Sequence, residues 1–251
     1  MSLSFIHVED LEYFPDERMK GLASLKRVDI RDCPALRYLS PWILYLTSLE
    51  DLYIFDCKEF EGIKWPETPS LTRLRVLQLL GLPKLKNVLP PGIQHLTSLE
   101  ALRIIECEEL QVSNDDSIEW QALTTLRFLY FNSLPQLVSL PWGLQFLTTL
   151  KQLHILYCRN FTGLPDWICK LSSLETLHIW RCPKFKSVPA SISSLTSLHK
   201  LEINGQDMNP REIHELSCSA SATGELDTST ASGSRSWKIL KKFRRLQLCN
   251  K

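Results

Sequence analysis

TTLKQLHILYCRNFTGLPDWICKLSSL at residues 148–174 and SSLETLHIWRCPKFKSVPASISSLTSL at residues 172–198 are one pattern written twice. Offset by 24 residues, Leu150 falls on Leu174, Leu153 on Leu177, His154 on His178, Ile155 on Ile179 and Cys158 on Cys182. The Leu-Pro or Val-Pro step and the closing Leu-(Ser/Thr)-Ser-Leu coincide as well. Agreement at this many positions marks stacked repeats rather than neighbouring segments of a globular domain.

Working outward, the opening leucine recurs at 25, 49, 74, 99, 126, 150, 174 and 198, in steps of 24, 25, 25, 27, 24, 24 and 24 residues. LSFIHVEDLEYFP near the start fits the same frame shifted back by 25 and enters at the fourth position, so residues 1–24 are expected to form a partial unit. Each unit reads LxxLxIxxC(P)xLxxLPxxIxxLTS. Positions 4 and 6 alternate at the strand period and point to one face. Positions 3, 5 and 7 point to the other, which is expected to stay in solvent. Leu or Phe at position 12, Leu or Val at position 15, and the Ile and Leu of xxIxxL turn the chain back beneath the strand. One unit cannot bury these groups by itself, whereas stacked units can. Pro41, Pro90, Pro141, Pro165 and Pro189 follow position 15 and suit the start of a short helical or irregular segment.

The pattern resembles the leucine-rich repeat family over residues 1–206 of 251. That resemblance implies an α/β solenoid, a horseshoe with a parallel concave β-sheet and short helical or irregular convex segments. Cysteine at the ninth position followed by LPxxIxxLTSL is similar to the C-terminal repeat region of plant intracellular nucleotide-binding leucine-rich repeat disease resistance proteins. Extracellular plant repeats favour Asn at that position and a Gly-x-Ile-Pro convex segment, and neither recurs. The chain has no G-x-x-x-x-G-K-[ST] phosphate loop, so a nucleotide-binding domain is expected to lie outside it, and the units from Leu49 to Leu126 are irregular.

Composition agrees with a protein that buries a core: 44% of residues are hydrophobic and 23% charged. A net charge of +1 gives no global drive towards nucleic acid or an anionic membrane. No apolar run reaches the length of a membrane helix, and the first residues lack a secretion signal, so a cytoplasmic location is expected. Five of eight cysteines, Cys33, Cys57, Cys107, Cys158 and Cys182, sit at the ninth position. There they read as small buried thiols donating weakly to a backbone carbonyl of the neighbouring coil, not as a disulfide framework or a zinc site. Asn160-Phe161-Thr162 matches a glycosylation sequon by chance, because Phe161 holds a core position.

No catalytic motif occurs, so no enzyme, cofactor or metal is expected. His154 and His178 share the fifth position of adjacent units and fit surface contacts better than a two-ligand metal site. Asp115 and Asp116 read as a solvated loop. The columns of the open strand face say more. The fifth position carries Asp29, Tyr53, Gln78, Arg103, Tyr130, His154, His178 and Glu202, and the seventh carries Arg31, Phe55, Leu80, Ile105, Asn132, Leu156, Trp180 and Asn204. Apolar residues at positions expected to face solvent suggest a contact surface. The candidate protein-binding residues are Tyr53, Phe55, Leu80, Arg103, Ile105, Tyr130, His154, Leu156, His178 and Trp180. Neither Phe55 nor Trp180 is expected to support the core.

Beyond the repeats, Asn209-Pro210-Arg211-Glu212 reads as a helix start, making residues 207–216 a short cap. Residues 217–236 are rich in Ser, Thr, Ala and Gly and read as a disordered linker. Residues 237–251 form a basic tail in which Trp237, Leu240, Phe243 and Leu246 fall at three-residue intervals. Such a stripe suits an anionic membrane surface or calmodulin, although a frayed end is the plainer reading. Repeated display of varied side chains on one face is the property of a recognition surface. The resemblance implies a sensor and autoinhibitory role in plant defence. Its partners would be a pathogen effector or a host protein, and an intramolecular nucleotide-binding domain. A cytoplasmic scaffold or adaptor for signalling proteins would use the same features.

Overall fold

Alternation at positions 4 and 6 produces the strands, and stacking produces the core. The computed structural model describes residues 1–13, 21–39, 43, 45–63, 71–87, 95–112, 120–210 and 216–217. In chain order the strands are β1 (Ser2–Ile6), β2 (Arg27–Arg31), β3 (Tyr38–Leu39), β4 (Asp51–Phe55), β5 (Gly62–Ile63), β6 (Val76–Leu80) and β7 (Ala101–Ile105). They continue with β8 (Phe128–Asn132), β9 (Gln152–Leu156), β10 (Thr176–Trp180), β11 (Ser187–Val188), β12 (Lys200–Ile203), β13 (Gln206–Met208) and β14 (Leu216–Ser217). One sheet runs β1-β2-β4-β6-β7-β8-β9-β10-β12-β13, parallel throughout except for its last pair. The described residues form a parallel-sheet solenoid, the horseshoe the repeat implies.

Register is in phase with the repeat, so each column becomes a ladder through the core. Position 4 stacks Val28, Leu52, Leu77, Leu102, Leu129, Leu153 and Leu177, and position 6 stacks Ile30, Ile54, Leu79, Ile104, Phe131, Ile155 and Ile179, all buried. Leu82 and Leu134 replace cysteine at the ninth position and are equally buried. Leu3 and Phe5 on edge strand β1 pair with Val28 and Ile30 and are only partly covered.

Position 8 turns each strand out of the sheet. His7, Asp32, Asp56, Gly81, Glu106, Ser133, Tyr157 and Arg181 all adopt positive φ, between 49° and 65°. A non-glycine residue pays for this conformation, and the turn recovers the loss through a backbone bond to the next coil. Asp56 N–H donates to the Leu80 carbonyl at 2.9 Å, Glu106 N–H to Asn132 at 3.0 Å and Tyr157 N–H to Trp180 at 2.8 Å. Arg181 N–H meets the Asn204 side-chain oxygen instead, at 2.9 Å.

That exception marks the end of the parallel array. Asn204 and Gly205 both have positive φ, and Ile203 pairs antiparallel with Gln206, so a two-residue Asn-Gly turn folds β13 back along β12. This hairpin covers the edge of β12. The helix expected after Asn209 falls largely on residues 211–215, outside the described residues, as do the tail and most of the linker. β14, which includes the first linker residue, pairs antiparallel with β11.

On the convex side, 3-10 helices span Trp142–Phe146, Asp166–Lys170 and Ala190–Ser194, each entered through a proline with φ between −61° and −76°. This agrees with the reading of Pro141, Pro165 and Pro189; Pro41 and Pro90 lie outside the described residues, as do Asp115 and Asp116. Ahead of this segment two-residue strands also pair, as β3 does in parallel with β5. Asn160 is held at both ends, donating to the Pro135 carbonyl at 2.7 Å and accepting from Lys184 at 2.8 Å. No helix among the described residues is long and apolar enough to cross a membrane.

Candidate functional site

All ten candidate residues stand on the concave strands. Register lines Phe55, Leu80, Ile105, Asn132, Leu156 and Trp180 into one row, and Tyr53, Gln78, Arg103, Tyr130, His154 and His178 into the next. The expectation that this face stays in solvent is corrected by burial. Leu80, Ile105 and Leu156 are only 7%, 5% and 9% exposed, and Tyr130 5%. Strands about 4.8 Å apart place large side chains in contact along each row, so every residue in the middle is shielded from both sides. Tyr53, Phe55, Arg103, His154, His178 and Trp180 remain half-buried and reach the surface.

The expectation that Trp180 does not support the fold also changes. A Cβ on Gly205 would lie 2.6 Å from the Trp180 ring, so the indole rests directly against the Asn-Gly turn. Phe55 lies under the Arg31 guanidinium at 4.7 Å and beside Tyr53 at 5.9 Å. These contacts hold it on the sheet face.

An aromatic cluster occupies the centre. Phe128 stacks on Tyr130 (6.2 Å between centroids, 8° between planes), stands 5.3 Å from His154 and lies under Arg103 at 4.8 Å. Sequence reasoning passed over Phe128 because only the fifth and seventh columns were compared. The third column shows it plainly, as the one aromatic among Arg27, Asp51, Val76, Ala101, Gln152, Thr176 and Lys200. Asn132 donates to the Tyr130 hydroxyl at 3.0 Å and accepts from Ser133 at 2.8 Å, which fixes it between the two apolar stretches of its row.

His154 and His178 meet edge to face, 5.7 Å apart. Burial, reinforced by the charges of His178, Lys200 and Arg103, pushes His154 down to about 4, and its Nε2 is buried without a hydrogen-bond partner. His178 is also lowered by burial, against the pull of Glu202, whose carboxylate stands 3.4 Å from Nε2. That is an ion-pair contact rather than a hydrogen bond. No group of three His, Cys, Asp or Glu among the described residues is arranged to hold a metal.

The ninth-position thiols do not bond as expected. Cys33, Cys57, Cys107, Cys158 and Cys182 donate to the carbonyl two residues back in their own coil, at 3.4–3.5 Å; Cys182 also donates to the neighbouring coil, at Ile155, and the backbone of the preceding coil's ninth residue (Cys33, Leu82, Leu134 and Cys158) hydrogen-bonds Cys57, Cys107, Cys158 and Cys182 in turn. The positive-φ residue between thiol and carbonyl folds the two together, so the nearest acceptor is local. Burial pushes Cys57, Cys107 and Cys158 up to about 12 and Cys182 to about 11, which keeps them protonated and unreactive. Of the described cysteines, half-exposed Cys169 is therefore expected to react first with iodoacetamide, and the other five only after urea unfolds the chain. Peptide mass spectrometry checks this; labelling of Cys158 in the folded protein as fast as Cys169 would contradict it.

No curated protein matches the chain in sequence. Among solved structures, the leucine-rich repeat domain of the type III effector XCV3220 (XopL) is similar, with a TM-score of 0.62 at 21% identity over 80% of this chain and 75% of that one. An internalin, InlF of Listeria monocytogenes, aligns with a TM-score of 0.46 at 17% identity over 78% of this chain and 57% of that one. The sequence pattern of the family described as "Leucine-rich repeat region" matches residues 17–218, most of the chain, which therefore belongs to the leucine-rich repeat family.

Proposed function

We propose that the concave face binds a protein, and that this chain is the recognition and autoinhibitory part of a plant immune receptor acting in the cytoplasm. The observation that carries the binding surface is the partly exposed aromatic and histidine stripe. Tyr53, Phe55, Phe128, His178 and Trp180 all reach the surface around the packed Leu80, Ile105 and Leu156. Rigid aromatic side chains on an ordered sheet lose little entropy on contact, and such groups commonly anchor interfaces. The immune role rests on the cysteine turn and the LPxxIxxLTSL segment. Free thiols at all six described cysteines suit a reducing compartment. The partners would be a pathogen effector or host protein, and a nucleotide-binding domain held inactive by the same surface.

Site-directed photo-crosslinking in plant cells tests this reading. A photoreactive phenylalanine at Tyr53 or Phe55 is expected to give protein adducts, and one at Val138, 52% exposed and away from the strands, is not. Against the crosslinked partner, Tyr53→Ala should weaken binding by about 2 kcal/mol, with the thermal midpoint nearly unchanged. Trp180→Ala is a poorer test because its ring also supports the Gly205 turn. Adducts only from Val138, or equal binding by Tyr53→Ala, would remove the concave face from the role.

A further inference from the structure

The cations on the concave strands each stand by a carboxylate, with one exception. Arg27 forks onto Asp51, with bonds of 2.6 and 3.0 Å. Arg31 grips Asp29, two residues back on its own strand. Lys200 stands 3.6 Å from Glu202, which also faces His178. Of the cations on these strands, Arg27, Arg31, Arg103 and Lys200, Arg103 is the one with no carboxylate within ion-pair distance and no donated hydrogen bond among the described residues. The nearest acid acting on it, Asp51, is already held by Arg27.

The position of Arg103 makes this lack costly. It sits on β7 near the middle of the ten-stranded sheet, paired with buried Gln78 on one side and Tyr130 on the other. The Phe128 ring lies 4.8 Å from its guanidinium carbon and removes water from one of its faces. Burial pushes its pKa below the usual arginine value, in keeping with a partly desolvated cation under the Phe128 ring. A desolvated guanidinium without a partner is a group that gains from an incoming anion.

We propose that Arg103 receives the carboxylate of an Asp or Glu side chain from the bound protein, with apolar residues flanking that acid resting on the aromatic stripe. The proposal rests on the concave face being the protein-binding surface. A carboxylate fits better than a phosphate because one guanidinium offers one fork. Recognition of a phosphate usually recruits a cluster of arginines, and the other concave cations are already paired.

The test pans a phage-displayed library of random 12-residue peptides on the full chain and then measures synthetic versions of the enriched peptides by calorimetry. The enriched peptides are expected to share one Asp or Glu. Changing that acid to its amide should weaken binding about 30-fold or more, Arg103→Met should cost a similar factor, and the two changes together should cost little beyond either one. Panning on Arg103→Glu should select Lys or Arg at the same place. Arg103→Met should unfold at an unchanged or higher temperature, because it removes an unpaired charge while keeping the stem. Peptides that lose affinity with Tyr53→Ala but not with Arg103→Met would leave the concave surface standing and overturn acid recognition. Peptides indifferent to both changes would overturn both, and a requirement for phosphoserine in place of the acid would overturn the choice of carboxylate.

Discussion

Phe131→Ala is expected to lower the unfolding free energy by about 3–5 kcal/mol, and Leu177→Ala by about 2–5 kcal/mol. Both side chains are fully buried. Phe131 stands at position 6 of β8, between Ile104 and Ile155, and meets Trp120 edge-on at 6.2 Å. Trp120 belongs to the longest unit, whose step is 27 residues. Leu177 is flanked by Leu153 and Leu201 in the position 4 ladder. Neither cavity can collapse, because backbone hydrogen bonds on both sides hold the coils at sheet spacing. In a stacked array each coil touches only its neighbours, so the loss falls on the adjacent interfaces. Urea unfolding followed by circular dichroism measures it; a loss below 1 kcal/mol for Phe131→Ala would mean that this coil is not packed as described.

Acid should weaken the fold through His154, by about 3 kcal/mol between pH 6.5 and 4. In the unfolded chain this imidazole titrates near 6.5, whereas in the folded protein it titrates at about 4. Between those values the unfolded state holds a proton that the folded state refuses, so stability rises with pH through the window and falls on acidification. The causes are burial first, then the charges of His178, Lys200 and Arg103. His154→Phe, which keeps a ring against Phe128, removes the titration. Its stability should change less than that of the parent between pH 7 and 4. Glu50, Glu61 and Glu175, each lowered by a hydrogen-bonded partner, titrate in both proteins, so the difference between the two isolates His154. Parallel pH curves would show that the His154 ring is hydrated in the folded state.

The repeat could be read without coordinates because its cause is local and periodic. Leu177 and Ile179 are two residues apart and must share a strand face, Cys182 and Leu174 recur at fixed distances from them, and a pattern repeated at 24–27 residues leaves stacking as the way to bury every unit. The Asn-Gly turn between Ile203 and Gln206 was just as local. It was overlooked because the repeat frame assigned those residues to another parallel coil. What the concave face exposes was not local. Leu80, Ile105 and Leu156 occupy outward positions by period, yet each is covered by side chains on the strands beside it, one repeat away in the chain. Trp180 looked like free surface until the turn at Gly205 closed against it. Arg103 is a lone cation only because Arg27 takes Asp51, Arg31 takes Asp29 and Lys200 stands by Glu202, pairings settled by side-chain reach across neighbouring strands. Periodicity decides which way a side chain points. How much water reaches it, and which charge it meets, depends on the sizes and charges that stacking places about 4.8 Å to either side.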